Sequence, residues 1–238
     1  ATTDVFTAEE GRVFRTVSAN LGLSYSILNV AELSGLSSVR EFLDSDYDET
    51  DVWNRIGAKY VDPTRLAETN RDMRIEWALA TLAVREAVRA HLRVMTASSH
   101  RHLPATDDIS ALAHEPPRDL LTRNAYNLTD YGLIIGCGGI LSHSPRAAAG
   151  KILADALRPE PAVELAVDSS FLLPHLGVLS TVDPVLAREL FERLGIVRLG
   201  TVKDAAARGL GDAAGYVPAP RSVTPTVESR ITSGPLRL

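Results

Sequence analysis

The sequence predicts an α/β domain in which helices flank a mixed sheet. Short runs rich in β-forming residues alternate with helical patterns, and the runs lie at residues 2–8, 12–19, 133–135 and 163–167. Between residues 71 and 95, apolar residues recur at steps of three and four, which predicts a long helix with one buried stripe. The chain has 238 residues, 45% of them hydrophobic, which is enough for a substantial core.

The first elements are predicted to be a hairpin and helices. The runs at 2–8 and 12–19 flank a short polar turn, which is typical of an antiparallel hairpin. A helix is expected over about 24–33, and Pro63 marks another helix start. The polar segment 37–69 is rich in aspartate, but it lacks the glycine and final glutamate of a calcium-binding EF-hand loop. We therefore expect a solvated connection between helices there.

Arginine and histidine in the middle of the chain give weaker signals. Arg85, Arg89 and Arg93 repeat every four residues beside the apolar stripe, which favours a solvated flank over a phosphate-facing one. His100 and His102, with a further histidine at 114, match no zinc-binding spacing, so we predict no metal site.

The central stretch at 133–157 predicts a strand, a glycine turn and a helix. The buried strand 133–135 is followed by Gly136, Gly138 and Gly139, which remove side chains where the backbone turns or is closely approached. Free backbone N–H groups beside such a bare surface make a nucleotide a natural ligand. The glycine spacing fits neither a dinucleotide fingerprint nor a P-loop, so a turn that only packs is the alternative.

The helix after the glycines has its own start signals. Ser142 or Ser144 can cap it, Pro145 suits its first position, and residues 147–157 are strong helix formers.

The second buried strand, 163–167, ends at Asp168, which either reaches a ligand crevice or caps the next helix. Helices are expected at 171–179, which includes Gly177, and at 184–194. We predict a domain over 1–195 and a partly irregular extension over 196–238, where Gly, Pro, Ser and Thr accumulate.

Composition excludes several classes of protein. The net charge is −5 with interspersed signs, which argues against a nucleic-acid surface. The single cysteine, Cys137, precludes an internal disulfide framework and is expected to be an inert, packed thiol. No apolar run approaches the about 18 residues of a membrane span, and no signal peptide is present, so we expect a cytoplasmic protein. Because the chain opens in a β-rich run without Met, we also expect a fragment.

Three sequence segments, in this order, resemble motifs of the second domain of the actin-like, ribonuclease H-like ATPases. Sugar kinases and Hsp70 chaperones share this fold. ATTDVF resembles the end of the phosphate-binding hairpin, with Ala1 as its last small residue, Thr2 facing phosphate and Asp4 closing the motif. GCGG at 136–139 resembles the adenosine motif. AVDSSFLLPHLGVLS at 166–180 resembles the helix that leads back to the first domain, with Gly177 as its close-contact residue.

Four sequence segments indicate one family within this superfamily, namely ATTDV, RTVSANLGLS, IIGCGGILSHSP and AVDSSFLLPHLGVLS. Over residues 1 to about 195 the chain is similar to the glutamate mutase accessory proteins, called GlmL or MutL, which are unrelated to the mismatch-repair protein of the latter name. The resemblance implies an ATP-dependent accessory or reactivating protein for an adenosylcobalamin-dependent mutase, with ATP and Mg²⁺ as cofactors and a mutase subunit as partner.

The sequence also departs from that pattern. The first domain and the strand that ends in the phosphate-binding glycines are absent, and that strand lies between the hairpin and the 133–135 strand in the family fold. We therefore expect a gap in the sheet, and we expect ATP hydrolysis in the intact protein rather than in this chain. The alternatives are a small-molecule kinase of the same fold and a non-catalytic interaction module.

Overall fold

The fold contains two separate sheets: the first packs directly on one long helix, and the second packs on another helix that lies against it. The computed structural model describes residues 2–9, 11–99, 131–157 and 163–201. In chain order, the elements are β1 (Thr3–Glu9), β2 (Arg12–Ser18), α1 (Ile27–Ser34), α2 (Leu36–Arg40), α3 (Glu49–Val61), α4 (Asn70–Ser99), β3 (Leu133–Gly136), α5 (Gly139–His143), α6 (Arg146–Leu157), β4 (Glu164–Val167), α7 (Leu173–Leu179), α8 (Pro184–Leu190), a π-helical turn (Phe191–Gly195) and β5 (Val197–Thr201).

The predicted α/β fold with a mixed sheet is confirmed. Strands β1 and β2 form an antiparallel hairpin of their own. In the second sheet β4 lies in the middle, parallel to β3 and antiparallel to β5. Within the described residues no pairing joins β1 to β3, so the hairpin and the three-stranded sheet remain separate.

The hairpin has one packed face and one exposed face. Its predicted strands are confirmed, and Gly11 takes the positive φ of 77° that the turn requires. Val5 packs against the helical core and Thr7 is buried, whereas Phe6, Val13 and Val17 on the outer face are exposed. This alternation follows from the two-residue period of a strand.

The acidic segment is more structured than predicted, because it contains helices α2 and α3. Asp48 is the N-cap of α3, and its carboxylate accepts hydrogen bonds from the amides of Thr50 and Asp51 at 3.0 and 3.3 Å. Val52 and Ile56 then place a buried stripe on the helix. The proline prediction was wrong, since Pro63 lies in the turn between α3 and α4.

Arginines of α3 and α4 neutralise these aspartates. Arg71 donates to Asp51 at 2.8 Å and to Asp46 at 2.9 Å, and its guanidinium lies 4.0 Å from the ring centre of Tyr47. Arg74 pairs with Asp44 at 2.8 Å. Asp44 and Asp46 remain about two thirds exposed, so the stretch between α2 and α3 is the predicted solvated connection, and ion pairs attach it to α4.

Helix α4 is buried on more than the single stripe predicted. Met73, Trp77 and Ala80 belong to a core shared with α6 and the three-stranded sheet. A second face, which includes Leu79 and Leu82, belongs to the core formed with α1, α2 and α3. Every residue from Trp77 to Ala83 is buried, as expected of a helix that lies between two layers.

The arginine repeat on α4 divides into two kinds of residue. Arg85 is buried, donates to the carbonyl of Asp155 on α6 at 3.0 Å, and lies 5.0 Å from the ring centre of Phe42. The predicted solvated flank was therefore wrong for Arg85. Arg93 is exposed, and Arg89 is partly exposed and pairs with Glu86 on its own helix.

The three-stranded sheet is most deeply buried at β4, where Leu165, Ala166 and Val167 are each at most 2% exposed. Consecutive burial of this kind means that both faces of the strand are covered. The predicted β3 strand is confirmed, but its side chains are only partly buried. Strand β5 continues the sheet past residue 195, where the sequence pattern predicts an irregular extension.

None of the helices in the described ranges combines the length and the apolar character needed to cross a bilayer.

Candidate functional site

The glycine turn after β3 contains glycines of two kinds. A Cβ at Gly136 would lie 2.9 Å from Cδ1 of Leu141 and 3.0 Å from Cδ1 of Leu153, so this glycine allows α5 and α6 to pack closely. A Cβ at Gly138 or at Gly139 would meet no atom within 4 Å. Gly138 also has a φ of 119°, which side chains rarely tolerate. Gly136 therefore matches the alternative that the turn serves only for packing, whereas Gly138 and Gly139 leave the backbone uncovered.

The helix after the glycines begins earlier than predicted. Gly138 is the residue before α5, and its carbonyl accepts from the amide of Ser142 at 2.8 Å. Neither serine acts as the predicted cap. Ser142 donates its hydroxyl to the carbonyl of Asp168 at 2.5 Å, and Ser144 accepts from Nε1 of Trp77 at 2.8 Å. Pro145 immediately precedes the second helix, α6.

Asp168 connects the glycine turn to α7. It is fully buried, and its two carboxylate oxygens accept hydrogen bonds from the amides of Leu172 and Leu173, each at 2.9 Å. Its own amide donates to the carbonyl of Gly136 at 2.9 Å. Of the two roles left open by the sequence, this geometry matches capping of the following helix.

Cys137 lies between the two kinds of glycine and contacts the same aspartate. Its sulfur is 3.5 Å from Oδ2 of Asp168, although the residue as a whole is exposed and not packed as predicted. Burial of the sulfur, together with the neighbouring Asp168 carboxylate, raises the pKa of the Cys137 thiol. The raised pKa keeps the thiol protonated and weakly nucleophilic at neutral pH.

The predicted phosphate-facing residues belong to the other sheet. Ala1 lies outside the described residues, and Thr2 is exposed just before β1. Asp4 pairs with Arg15 of β2 through Oδ2 at 2.6 Å. Its second oxygen, Oδ1, is buried and has no hydrogen-bond partner among the described residues. Asp4 therefore has one buried carboxylate oxygen with no donor in the described part of the chain.

Gly177 lies on the exposed face of α7, and nothing is within 4 Å of the position of an added Cβ. Its neighbours His175 and Val178 are exposed as well. An open glycine on a helix surface leaves room for another backbone or helix to approach.

A cavity between α3 and α4, lined by both charged and apolar residues, has no counterpart in the sequence predictions. Its volume is about 260 Å³, and ion pairs such as Lys59 with Glu76, at 2.9 Å, line it. Burial raises the pKa of Glu76. The partners lie seventeen residues apart on different helices, so no local pattern could reveal the pair.

Among the described residues, no group of three or more His, Cys, Asp or Glu side chains is arranged to hold a metal ion. The histidines at 100, 102 and 114 lie outside those residues.

Comparison with known proteins gives a relative and a family. The chain is 24% identical over 180 residues to Protein MutL of Clostridium tetanomorphum, and the match covers 72% of this chain and 35% of that protein. The chain thus spans about a third of the length of its curated relative. No solved structure matches it. The family model described as MutL protein matches residues 1–194, which include the hairpin, the glycine turn and α7, and the chain therefore belongs to the MutL protein family.

Proposed function

We propose that the chain is the nucleotide-binding part of an ATP-dependent accessory or reactivating protein for an adenosylcobalamin-dependent mutase of the glutamate mutase type. Membership in the MutL family supports the accessory role. In this proposal the chain adopts the second domain of an actin-like ATPase fold, and hydrolysis takes place only in the intact, longer protein.

One observation carries the nucleotide assignment. Gly138 and Gly139 present backbone with no atom within 4 Å of either Cβ position, directly after strand β3 and at the start of helix α5. A nucleoside can lie flat against backbone only where side chains are absent. Gly136 is excluded from this contact because Leu141 and Leu153 cover it.

The hairpin fits a role at the phosphates. In the proposal, the exposed Thr2, which follows the small Ala1 in the sequence, donates its hydroxyl to a phosphate oxygen. Buried oxygens without partners are rare in folded proteins, so the unpaired Oδ1 of Asp4 suits a bound water or another ligand-side donor. The separation between β1 and β3 is compatible with the additional strand that the actin-like fold has at that place.

The resemblance also implies Mg²⁺, which proteins usually bind through one or two carboxylates, several waters and the phosphates of the substrate. The described residues offer no cluster of three side chains able to ligate a metal, so in the proposal the ion is held mainly by the nucleotide phosphates. Asp4 uses one of its oxygens for Arg15. We assign no metal-dependent step to these residues.

The proposed action on the mutase is conformational. A nucleotide that binds one domain orientation more tightly than another shifts the population toward it, and that shift changes affinity for the partner. The exposed Gly177 face of α7 is the surface at which the domains would meet.

Gly139→Asp tests the proposal directly. Gly139 has an ordinary φ and open space above it, so the fold should tolerate the substitution while the new carboxylate occupies the nucleoside surface. We expect ATP affinity of the intact protein, measured by calorimetry, to fall at least tenfold, or about 1.4 kcal/mol. Gly57→Asp on α3 is the matched control, because its Cβ position is equally open and the added charge is the same. Unchanged affinity in Gly139→Asp would remove the adenosine assignment.

A non-catalytic interaction module is the second candidate, and exposed apolar residues near the end of the described chain favour it. Val178, Val182, Val185 and Leu194 are between 58% and 82% exposed. Clustered exposed apolar residues often mark protein contacts. Binding of the intact protein to a mutase, without affinity for any adenine nucleotide, would support this candidate over the first.

A further inference from the structure

Asp168 is bonded to three separate elements around the glycine turn. Its carboxylate accepts from Leu172 and Leu173 at the start of α7, while its amide donates to Gly136 of β3. Its carbonyl accepts from Ser142 of α5 at 2.5 Å. The carboxylate is fully buried, so it cannot exchange the two α7 amides for water, while the backbone of the same residue is bonded to β3 and α5.

Oδ2 of this carboxylate is shared between the turn and α7. It accepts from the amide of Leu173 at 2.9 Å and lies 3.5 Å from the sulfur of Cys137. A displacement of Cys137 therefore alters the environment of the oxygen that holds the first residue of α7. About one turn further along, α7 carries the exposed Gly177 and Val178.

We propose that Asp168 is a positioning residue through which the state of the turn at Cys137–Gly139 is transmitted to α7. The inference rests on the proposed function, because it is a nucleoside bound at Gly138 and Gly139 that would change the position of α7 through this link. Asp168 touches no ligand itself in this scheme; it acts through Cys137 on one side and through Leu172 and Leu173 on the other.

The first arm of the test needs no nucleotide. Cys137 is the only cysteine, so methyl methanethiosulfonate forms a single mixed disulfide there and releases methanesulfinate. The added methylthio group removes the thiol hydrogen and displaces the sulfur from Oδ2. We expect amide exchange at Leu172 and Leu173, followed by NMR, to accelerate about fivefold, which corresponds to one ordinary hydrogen bond. Dithiothreitol should reverse the effect, and Cys137→Ser should be insensitive to the reagent.

A pair of variants tests the same link from the aspartate. In Asp168→Asn the amide nitrogen cannot accept a hydrogen bond, so both α7 exchange and the reaction rate of Cys137 with Ellman's reagent should rise. Asp183→Asn is the matched control, because Asp183 similarly accepts from the amide of Leu186 at 2.9 Å at the start of α8. It should change exchange at Leu186 alone.

The second arm adds ATP to the intact protein and separates the two proposals. Slower exchange at Leu172 and Leu173 in the wild type, lost in Asp168→Asn at saturating ATP, supports both. ATP binding with unaltered α7 exchange, together with no response to methylthiolation, overturns the inference and leaves the proposed function standing. If the wild type binds no ATP, the proposed function fails, and the methylthiolation result alone decides whether Asp168 transmits the state of the turn.

Discussion

Nε2 of His91 on α4 lies 2.6 Å from Oγ1 of Thr7 on β1, although the two residues are 84 positions apart in the sequence. Its second ring nitrogen, Nδ1, lies 2.8 Å from Oγ1 of Thr16 on β2. The ring of Phe14 packs edge-on against the imidazole with centroids 5.5 Å apart. One buried histidine thus fastens both strands of the hairpin to the long helix.

His91→Phe should destabilise the protein by about 1–3 kcal/mol, because it keeps a ring of similar size but leaves the buried hydroxyl of Thr7 without its partner. Urea denaturation measures this loss. The control is His175→Phe on the exposed face of α7, for which we expect a change within about 0.5 kcal/mol. Equal stabilities of the two variants would contradict a structural role for the His91 hydrogen bonds.

The same histidine should make stability depend on pH. Burial lowers the pKa of His91 below its usual value of 6.5, so the unfolded chain takes up a proton more readily than the folded one. The contribution is fully present above pH 6.5 and is lost as pH falls from 6.5 through the folded-state pKa. His91→Phe should lack this component, so the stabilities of wild type and variant should converge as the pH is lowered through that window. Parallel curves would refute the assignment.

Gly136→Ala and Gly139→Ala should have different effects on stability, although the two glycines lie only three positions apart in the sequence. The Cβ at position 136 would lie within about 3 Å of two core leucines, so we expect a loss of about 1–3 kcal/mol from overpacking. The Cβ at position 139 meets open space, and its effect should stay within about 0.5 kcal/mol. Thermal denaturation compares them, and a larger loss for Gly139→Ala would show that the turn is packed differently.

Arg71→Lys should weaken the attachment of the acidic segment to α4. A lysine cannot reproduce the forked contacts of Arg71 with Asp51 and Asp46 or its stacking on Tyr47. The hydrogen bond from Arg71 is the main reason that the pKa of Asp51 is lowered, so the variant should raise that pKa toward its usual value. An NMR titration measures the shift. Arg93→Lys, at an exposed position of the same helix, should leave it unchanged.

Local sequence patterns predicted those elements that are specified mainly by residues close to one another in the sequence. The hairpin at β1 and β2, the long helix α4 and the strand before the glycine turn follow from periodicity and turn residues alone. The distinction between Gly136 and Gly139 could not be predicted, because it depends on where the side chains of Leu141 and Leu153 lie.

Interactions across the fold account for the errors. Arg85 has the same sequence surroundings as a solvated arginine, but α6 supplies the carbonyl of Asp155 that allows it to be buried. The sequence of strand β5 gives only a weak strand pattern, because the strand is stabilised mainly by its pairing with β4. Cys137 is exposed although its sulfur contacts Asp168, a position in the turn that the neighbouring glycines permit but do not specify.

The hairpin and the three-stranded sheet exchange no backbone hydrogen bonds within the described ranges, yet the hairpin contacts α4 directly and the three-stranded sheet contacts α6, which packs on α4. The distance between Asp4 and the glycine turn is therefore set by helix α4. A kink midway along it, where residues 77–83 are enclosed on all sides, would swing the hairpin as a unit and alter that spacing while each sheet kept its own internal geometry.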